Sequence, residues 1–328
     1  MKRRFVLGAA AGALISRPGY SQSFPAGSFP DRPVRFVIPF APGGSSDVGA
    51  RALGERLEKI LGQPIVVENK PGGATVLATE FVAKSKPDGY TYLQATGALT
   101  INDAFGLQLP YDAFKDLVPV AHFFNVPVIV AVSPDAPWKT MADLLADAKQ
   151  KGAPIPYACA ALGSMQNLWA EELRARLGLR FEQVGYKGSS EALRDVMAGH
   201  IKLLIDLMVP TGAAVKSGKL RGLVVAMPQR APLVPEVPTV GEVGQGLEGT
   251  ECAVFNGYVT PVGTPAAAIA RLNGAINQVF ADTEFRKRLE DMGLALIGGP
   301  PEAFGRTLLA EREKWRKVIT DLKIPKPS

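Results

Sequence analysis

The chain has 328 residues, 47% apolar and 21% charged, which is too long for one comfortable hydrophobic core and too apolar for a disordered one, so two units of ordinary domain size are expected. Its formal charge is +6, yet residues 1–23 hold Lys2, Arg3, Arg4 and Arg17 with no acid, and the remainder carries only +2. That near-neutral balance, with signs interleaved as in Glu311-Arg312-Glu313-Lys314, argues against a nucleic-acid partner.

The first residues pair a basic start with the apolar run Phe5 to Ile15, well short of the roughly 20 residues that span a bilayer. This is a signal-peptide pattern, with a small-x-small site at Ser21-Gln22-Ser23 and another at Gly19-Tyr20-Ser21, so a periplasmic mature chain starting near Phe24 is expected. The Arg3-Arg4 pair leaves the twin-arginine route open beside general secretion.

Strand and helix patterns then alternate. Val34 to Phe40 reads as a strand, followed by a helix with Leu53, Leu57, Ile60 and Leu61 on one face; Ile65 to Glu68 and Tyr90 to Thr96 read as further strands. A strand at Val126 to Val132 precedes a helix opened by Thr140 and Asp143 in capping-box spacing. The series continues with the strand Ile155 to Ala160, the helix Met165 to Leu177, a strand near Phe181 to Tyr186, the helix Ser190 to Ala198, and strands at Ile201 to Leu207 and Arg221 to Met227. After the Pro-rich stretch 228–238, Cys252 to Val259 reads as a strand, and three amphipathic helices run to about Leu322. Such alternation with Val- and Ile-rich strands predicts an α/β fold whose sheets are mostly parallel and flanked by helices. If the last helices return to the first sheet, the chain crosses between lobes near 123–128 and 251–258, which makes residues 24–125 with 251–328 one lobe and 126–250 the other.

In open α/β sheets a ligand sits at the carboxyl ends of the strands, where helix N-termini favour anions. The segment 39–48 offers such a place: Gly43 and Gly44 allow a tight turn, Ser45 and Ser46 offer hydroxyls, and Asp47 either complements the helix dipole or contacts a ligand. A plain strand-to-helix turn with a serine cap fits the same residues. The segment 68–75 repeats the arrangement after the next strand, and Gly163-Ser164 stands at another strand-to-helix junction. Asp206 interrupts an apolar strand, where a buried carboxylate requires a partner from main chain, water or ligand.

Catalytic machinery is not evident. The chain has no GxSxG, no HExxH, and two histidines, His122 and His200, that read as core or surface residues. Gly244 to Gly249 matches GxGxxG but leads towards a strand instead of opening a helix. Cys159 and Cys252 form no metal-ligand cluster, and whether they form a disulfide is left open by an oxidising compartment on one side and apolar surroundings on the other. Neither a metal nor a cofactor is expected.

The segments PFAPGGSSDVGAR (39–51), LGQPIVVENKPGG (61–73), KPDGYTYL (86–93), LPYDAFKDLVPV (109–120), GYKGSSEALRDVMAGHI (185–201), SGKLRGLVV (217–225), VPTVGEVG (237–244) and PVGTPAAAIARLN (261–273) resemble those of Bug receptors, the solute-binding components of tripartite tricarboxylate transporters. The resemblance implies a monomeric, two-lobed, type II-like periplasmic binding protein that closes like a flytrap on a small carboxylate and hands it to a membrane permease. Carried over by position, it implies ligand contacts at Gly44, Ser45, Ser46, Asp47, Gly73, Ala74, Thr75 and Thr96 in the first lobe, and at Gly163, Ser164, Asn167 and Asp206 in the second. The chain departs from that pattern at Ala74, Thr75 and Val76, where the family commonly has glycines, at Leu162, where it has a polar residue, and at Asn167, where His is common. A sensor that presents its closed form to a membrane signalling protein is the alternative within the same fold; a periplasmic hydrolase would need a nucleophile and base that the chain does not offer.

Overall fold

Apolar, β-branched runs form the strands, and each of the first three is followed by a helix, after a short loop in the first two cases and directly in the third. The computed structural model describes residues 29–326 apart from Lys151, Ala161, Leu162 and Lys187; the expected signal peptide lies outside the described residues. In chain order these are β1 (Val34–Ile38), α1 (Ser45–Leu61), β2 (Ile65–Asn69), a short 3-10 turn (Gly73–Thr75), α2 (Val76–Ala83), β3 (Thr91–Thr96), α3 (Gly97–Ala104), β4 (Leu117–Val132), α4 (Met141–Lys149), β5 (Ile155–Cys159) and α5 (Met165–Leu177). Then follow β6 (Phe181–Gly185), α6 (Ser189–Met197), β7 (Leu203–Leu207), α7 (Met208–Lys216), β8 (Arg221–Val225), α8 (Val240–Val243), β9 (Ala253–Pro261), α9 (Ala266–Phe280), α10 (Thr283–Glu290), β10 (Ala295–Leu296) and α11 (Pro301–Asp321).

The strands run in the order β2-β1-β3-β9-β4-β7-β5-β6, with β8 and β10 also paired to β4. The outer strands β2, β1 and β3 are mutually parallel, as are β7, β5 and β6, which matches the expected βα series. The strands that join the two groups are antiparallel instead: β9 lies between β3 and β4, and β4 continues from it onto β7 and β8. The chain must turn back on itself to leave one sheet and return to it, and an antiparallel pair is the geometry that allows this.

Local signals explain most boundaries. Thr140 and Asp143 form the anticipated reciprocal cap at α4, and a second such cap, Thr239 with Glu242, starts the short α8. β4 begins well before Val126, because Pro119, His122 and Asn125 break the apolar run without breaking the strand. The helices α2 and α3 were not foreseen: Val76–Ala83 is almost uniformly apolar, and Gly97–Ala104 mixes polar and apolar residues too evenly to show a stripe.

The core is continuous through the crossing. Phe36, Leu53, Phe123 and Tyr258 belong to one buried cluster with Met208, Leu220 and Val225, while Trp315 and Ile319 of α11 join Trp169 and Leu173 of α5 in another. The α11 stripe Phe304, Leu308, Trp315 and Ile319 is what seats that helix, each buried side chain contributing roughly 1.5–3 kcal/mol; Trp315→Ala would cost about 3–5 kcal/mol. Cys159 and Cys252 are both buried, and no disulfide joins them. Among the described residues no helix is long and apolar enough to cross a membrane.

Candidate functional site

Asp47 holds the first loop. Its Oδ2 accepts the Gly43 N–H at 2.9 Å, and its Oδ1 accepts Arg51 Nε and Asn69 Nδ2, each at 3.0 Å. Asn69, at the end of β2, donates in turn to the Phe40 carbonyl at 3.0 Å, so the loop is tied to the neighbouring strand. Gly43 has φ +88°, a left-handed value that glycine adopts without strain. Burial pushes the Asp47 carboxyl up, but the Arg51, Gly43 and Asn69 donors outweigh it and leave it below the usual carboxylate value. Gly44 is the N-cap of α1, followed by Ser45, and the helix has no side-chain cap bond. Ser46 donates its hydroxyl to Asn256 Oδ1 at 3.2 Å. Asn256 on β9 pairs with Thr96 at the end of β3, so it joins the first loop to the third strand.

The second loop carries a run of left-handed residues: Gly72 (φ +128°), Gly73 (+56°), Ala74 (+47°) and Thr75 (+76°). Ala74 and Thr75 thus adopt the conformation glycine favours in spite of their side chains, at roughly 1–2 kcal/mol each. Asn102 Nδ2 donates to the Ala74 carbonyl at 3.1 Å, and Thr79 Oγ1 to the Thr75 carbonyl at 2.9 Å, which hold the strained turn in place. Thr96 is the N-cap of α3, again with no side-chain cap bond.

The second lobe builds its βα turn in the same way. Gly163 (φ +75°) donates its N–H to Asn167 Oδ1 at 2.9 Å, four residues on, as Gly43 does to Asp47. Asn167 Nδ2 donates to Tyr157 Oη at 3.1 Å and to Gln183 Oε1 at 3.0 Å, so its amide is fully engaged within the lobe. Ser164 caps α5 by accepting the Asn167 N–H. Asp206 stands near the carboxyl end of β7, where its Oδ1 accepts Gln166 Nε2 at 2.9 Å, Ser189 Oγ at 2.8 Å and the Leu207 N–H at 2.8 Å. The first turns of α5 and α6 therefore converge on it. Among the described residues its Oδ2 is buried without a partner, and burial holds the carboxyl above its ordinary value in spite of those three donors.

The twelve anticipated residues thus fall into two groups, one around the starts of α1, α2 and α3 and one around those of α5, α6 and α7. They approach each other where α3 begins: a Cβ placed on Gly97 would lie 2.7 Å from Met165 Cε at the start of α5. Leu162 lies outside the described residues. Asn69, Asn102, Asn256, Gln166 and Ser189 were missed; of these, Asn256 carried the same signal as Asp206, a lone polar residue in an apolar strand. A separate cavity of about 320 Å³, lined by Pro127, Arg230, Arg286 and Leu296 among others, includes none of the loop residues. His122 is buried with Nε2 2.8 Å from Asn125 Oδ1, and His200 lies exposed beside Asp195.

Both groups present helix N-termini, and hence backbone N–H groups, at strand ends, an arrangement suited to an anion held without a full opposing charge. Comparison with known proteins agrees. The chain is 32% identical over 322 residues, 98% of its length and 95% of the relative's, to a UPF0065 protein from the tcbD-tcbE intergenic region of Pseudomonas sp. strain P51. It is 31% identical over 317 residues to Bordetella pertussis BugT, covering 95% of this chain and 96% of that one. Similar solved structures include R. palustris Rpa4515 with adipate (31% identity, TM-score 0.79, covering 90% of this chain and 99% of that one). The periplasmic binding protein BugD (28%, 0.76, 91% and 100%) and Rhodopseudomonas palustris MatC with bound malate (30%, 0.74, 89% and 100%) are also similar. Residues 49–324 match the tripartite tricarboxylate transporter family receptor, and the chain belongs to that family.

Proposed function

We propose that the protein is a periplasmic receptor that captures a small carboxylate between residues 24–125 with 251–328 on one side and residues 126–250 on the other, and delivers it as a monomer to a tripartite-type permease. The observation that carries this reading is the repeated turn, Gly43 to Asp47 and Gly163 to Asn167, which sets a helix N-terminus at the edge of each lobe. The first lobe, with loops Gly44 to Asp47 and Gly73 to Thr75 and the α3 start at Thr96, takes the carboxylate; Gly163, Ser164 and Asp206 close over the other end. Closure shifts an open-closed equilibrium by differential affinity for the closed form. Adipate in Rpa4515 and malate in MatC support the ligand class. The family whose model the chain matches is one of receptors, which supports binding as the protein's role.

A thermal-shift screen of the protein against mono-, di- and tricarboxylates, amino acids and aromatic acids tests this. A ligand at about a hundred times its Kd contributes roughly 2.7 kcal/mol and raises the melting point by a few degrees. A selective response to one acid class is the expected result; uniform silence across all of them would overturn the reading.

A further inference from the structure

The cavity of about 320 Å³ that stands apart from the loops lies where residues 227–232 face residues 286–297, beside Pro127 of β4. On the division proposed above these two stretches belong to different lobes, and Pro127 stands where the chain crosses between them. The volume is at the lower end of the roughly 300–1,000 Å³ of small-molecule sites. Met227, Pro232, Leu294 and Leu296 give the cavity apolar walls. Ile297 lines it too and is 46% exposed, the kind of apolar surface that a bound molecule covers. Two guanidinium groups line it, one from each side, against one carboxylate, Glu290. Arg230 Nε donates to both oxygens of Glu242 and its Nη1 to the Pro235 carbonyl, each at 2.9 Å, which leaves its Nη2 without an acceptor among the described residues. Arg286 is held loosely: Nη1 reaches Glu290 Oε1 at 3.4 Å and Nη2 the Phe280 carbonyl at 3.3 Å, both longer than the usual range of about 2.7–3.2 Å. An incoming carboxylate offers either group shorter, charge-assisted bonds.

We infer that this cavity is a regulatory site for an amphipathic monocarboxylate, its carboxylate at Arg230 and Arg286 and its aliphatic chain along Met227, Leu294, Leu296 and Ile297, and that occupation of it raises affinity at the loop site. The inference rests on the two-lobed receptor reading above and adds a second ligand to it. Its direction follows from the state of the cleft. Met165, at the start of α5, lies so close to Gly97, at the start of α3, that a Cβ on Gly97 would be 2.7 Å from Met165 Cε. The cavity therefore exists with the two loop groups drawn together. A molecule that bridges residues 227–232 and 286–297 holds that arrangement, and by linkage it strengthens whatever ligand requires it. A second carboxylate at the far end of the chain would be set against Leu294 and Leu296 with no partner, which is why the occupant has one anionic end.

The test is calorimetric titration with octanoate as the probe. Octanoate should bind protein already saturated with the best acid of the thermal-shift screen, and that acid should bind about fivefold tighter when octanoate is present. Suberate, the dicarboxylate of the same length, should bind the saturated protein about tenfold more weakly than octanoate. Ile297→Asp puts a charge among the apolar walls at an exposed position that the fold tolerates, and Arg286→Gln removes one guanidinium. Each should weaken octanoate by about tenfold and leave the affinity for the acid, measured alone, unchanged. Failure of octanoate to bind, its displacement by the acid, equal octanoate affinity in wild type and both variants, or an acid affinity indifferent to octanoate would each overturn the inference. If the screen finds no acid, it is the receptor reading that fails, while octanoate binding that both variants weaken would still support the site.

Discussion

Replacing Asp47 separates the role of the loop from the role of charge. In Asp47→Ala the Gly43 N–H loses a charged, buried acceptor, a loss of about 1.5–3 kcal/mol. Asn69 loses one of two acceptors, roughly 1 kcal/mol, while the Arg51 pair, whose arginine is 49% exposed, adds no more than about 1 kcal/mol. A total of about 2.5–5 kcal/mol follows, and it should appear as a lower urea midpoint. Asp47→Asn is the informative companion, because Asn167 already accepts the equivalent Gly163 N–H in the other lobe. An asparagine at 47 can do the same for Gly43 while giving up Arg51, and should cost only about 1 kcal/mol. In the alanine variant the loop must be ordered by the ligand, so calorimetric titration with the acid found by screening should show affinity about tenfold weaker; the asparagine variant should bind within a few fold of wild type. If Asp47→Asn falls as far as Asp47→Ala in both assays, the charge and not the turn is what matters, and the argument from the repeated turn is refuted.

Ser46→Ala removes the donor to Asn256 Oδ1 and should weaken binding while shifting the melting point by no more than the loss of about 1 kcal/mol; unchanged affinity would take Ser46 out of the site. Burial holds His122 below its ordinary value of 6.5, against the opposing effect of the hydrogen bond between its Nε2 and the accepting Asn125 Oδ1. The folded state therefore resists protonation, and stability present above pH 6.5 is lost as the pH falls, by up to about 1.4 kcal/mol per pH unit. His122→Gln should flatten the stability profile below neutrality, and identical slopes for variant and wild type would contradict the assignment. Asp206 has the opposite sign, its raised carboxyl favouring the fold as pH falls through the carboxylate range, so the two proteins must be compared at each pH. Gly257→Ala would set a Cβ 2.3 Å from Phe304 Cζ and 2.6 Å from the Ala121 carbonyl, destabilising by about 1–3 kcal/mol or more. Gly274→Ala on α9 meets nothing within 4 Å and should be stabilising by roughly 0.5–1 kcal/mol. Equal unfolding midpoints for the two alanine variants would show that β9 does not pack as described.

The outer strands and their helices were legible because each carries its own period: Val34 to Ile38 needs no partner to read as a strand, and Thr140 with Asp143 announces a helix by local bonding alone. The antiparallel centre was not legible, since nothing in Leu117–Val132 states that its two halves serve different sheets. The site was legible as loops but not as a network. Glycine and serine mark a turn wherever they stand, whereas Asn256 reaches Ser46 across 210 positions of sequence, a relation that only the folded chain creates. Asp47 and Asn167 were anticipated as ligand contacts, yet their polar atoms are engaged in holding Gly43 and Gly163. Residue type identified where the chemistry gathers, and only geometry distinguishes the groups that shape a loop from those left to meet a guest.

The position of β9 governs the order in which the molecule can be assembled. It lies between β3 and β4, yet it is made long after both, so the first sheet has a gap at its centre until residue 261 has emerged. The second sheet draws only on the continuous stretch from Leu117 to Val225 and can be completed earlier. In a chain delivered from its N-terminus, the strands that appear first are therefore among the last to settle, waiting on a closure between distant segments that is slow by nature.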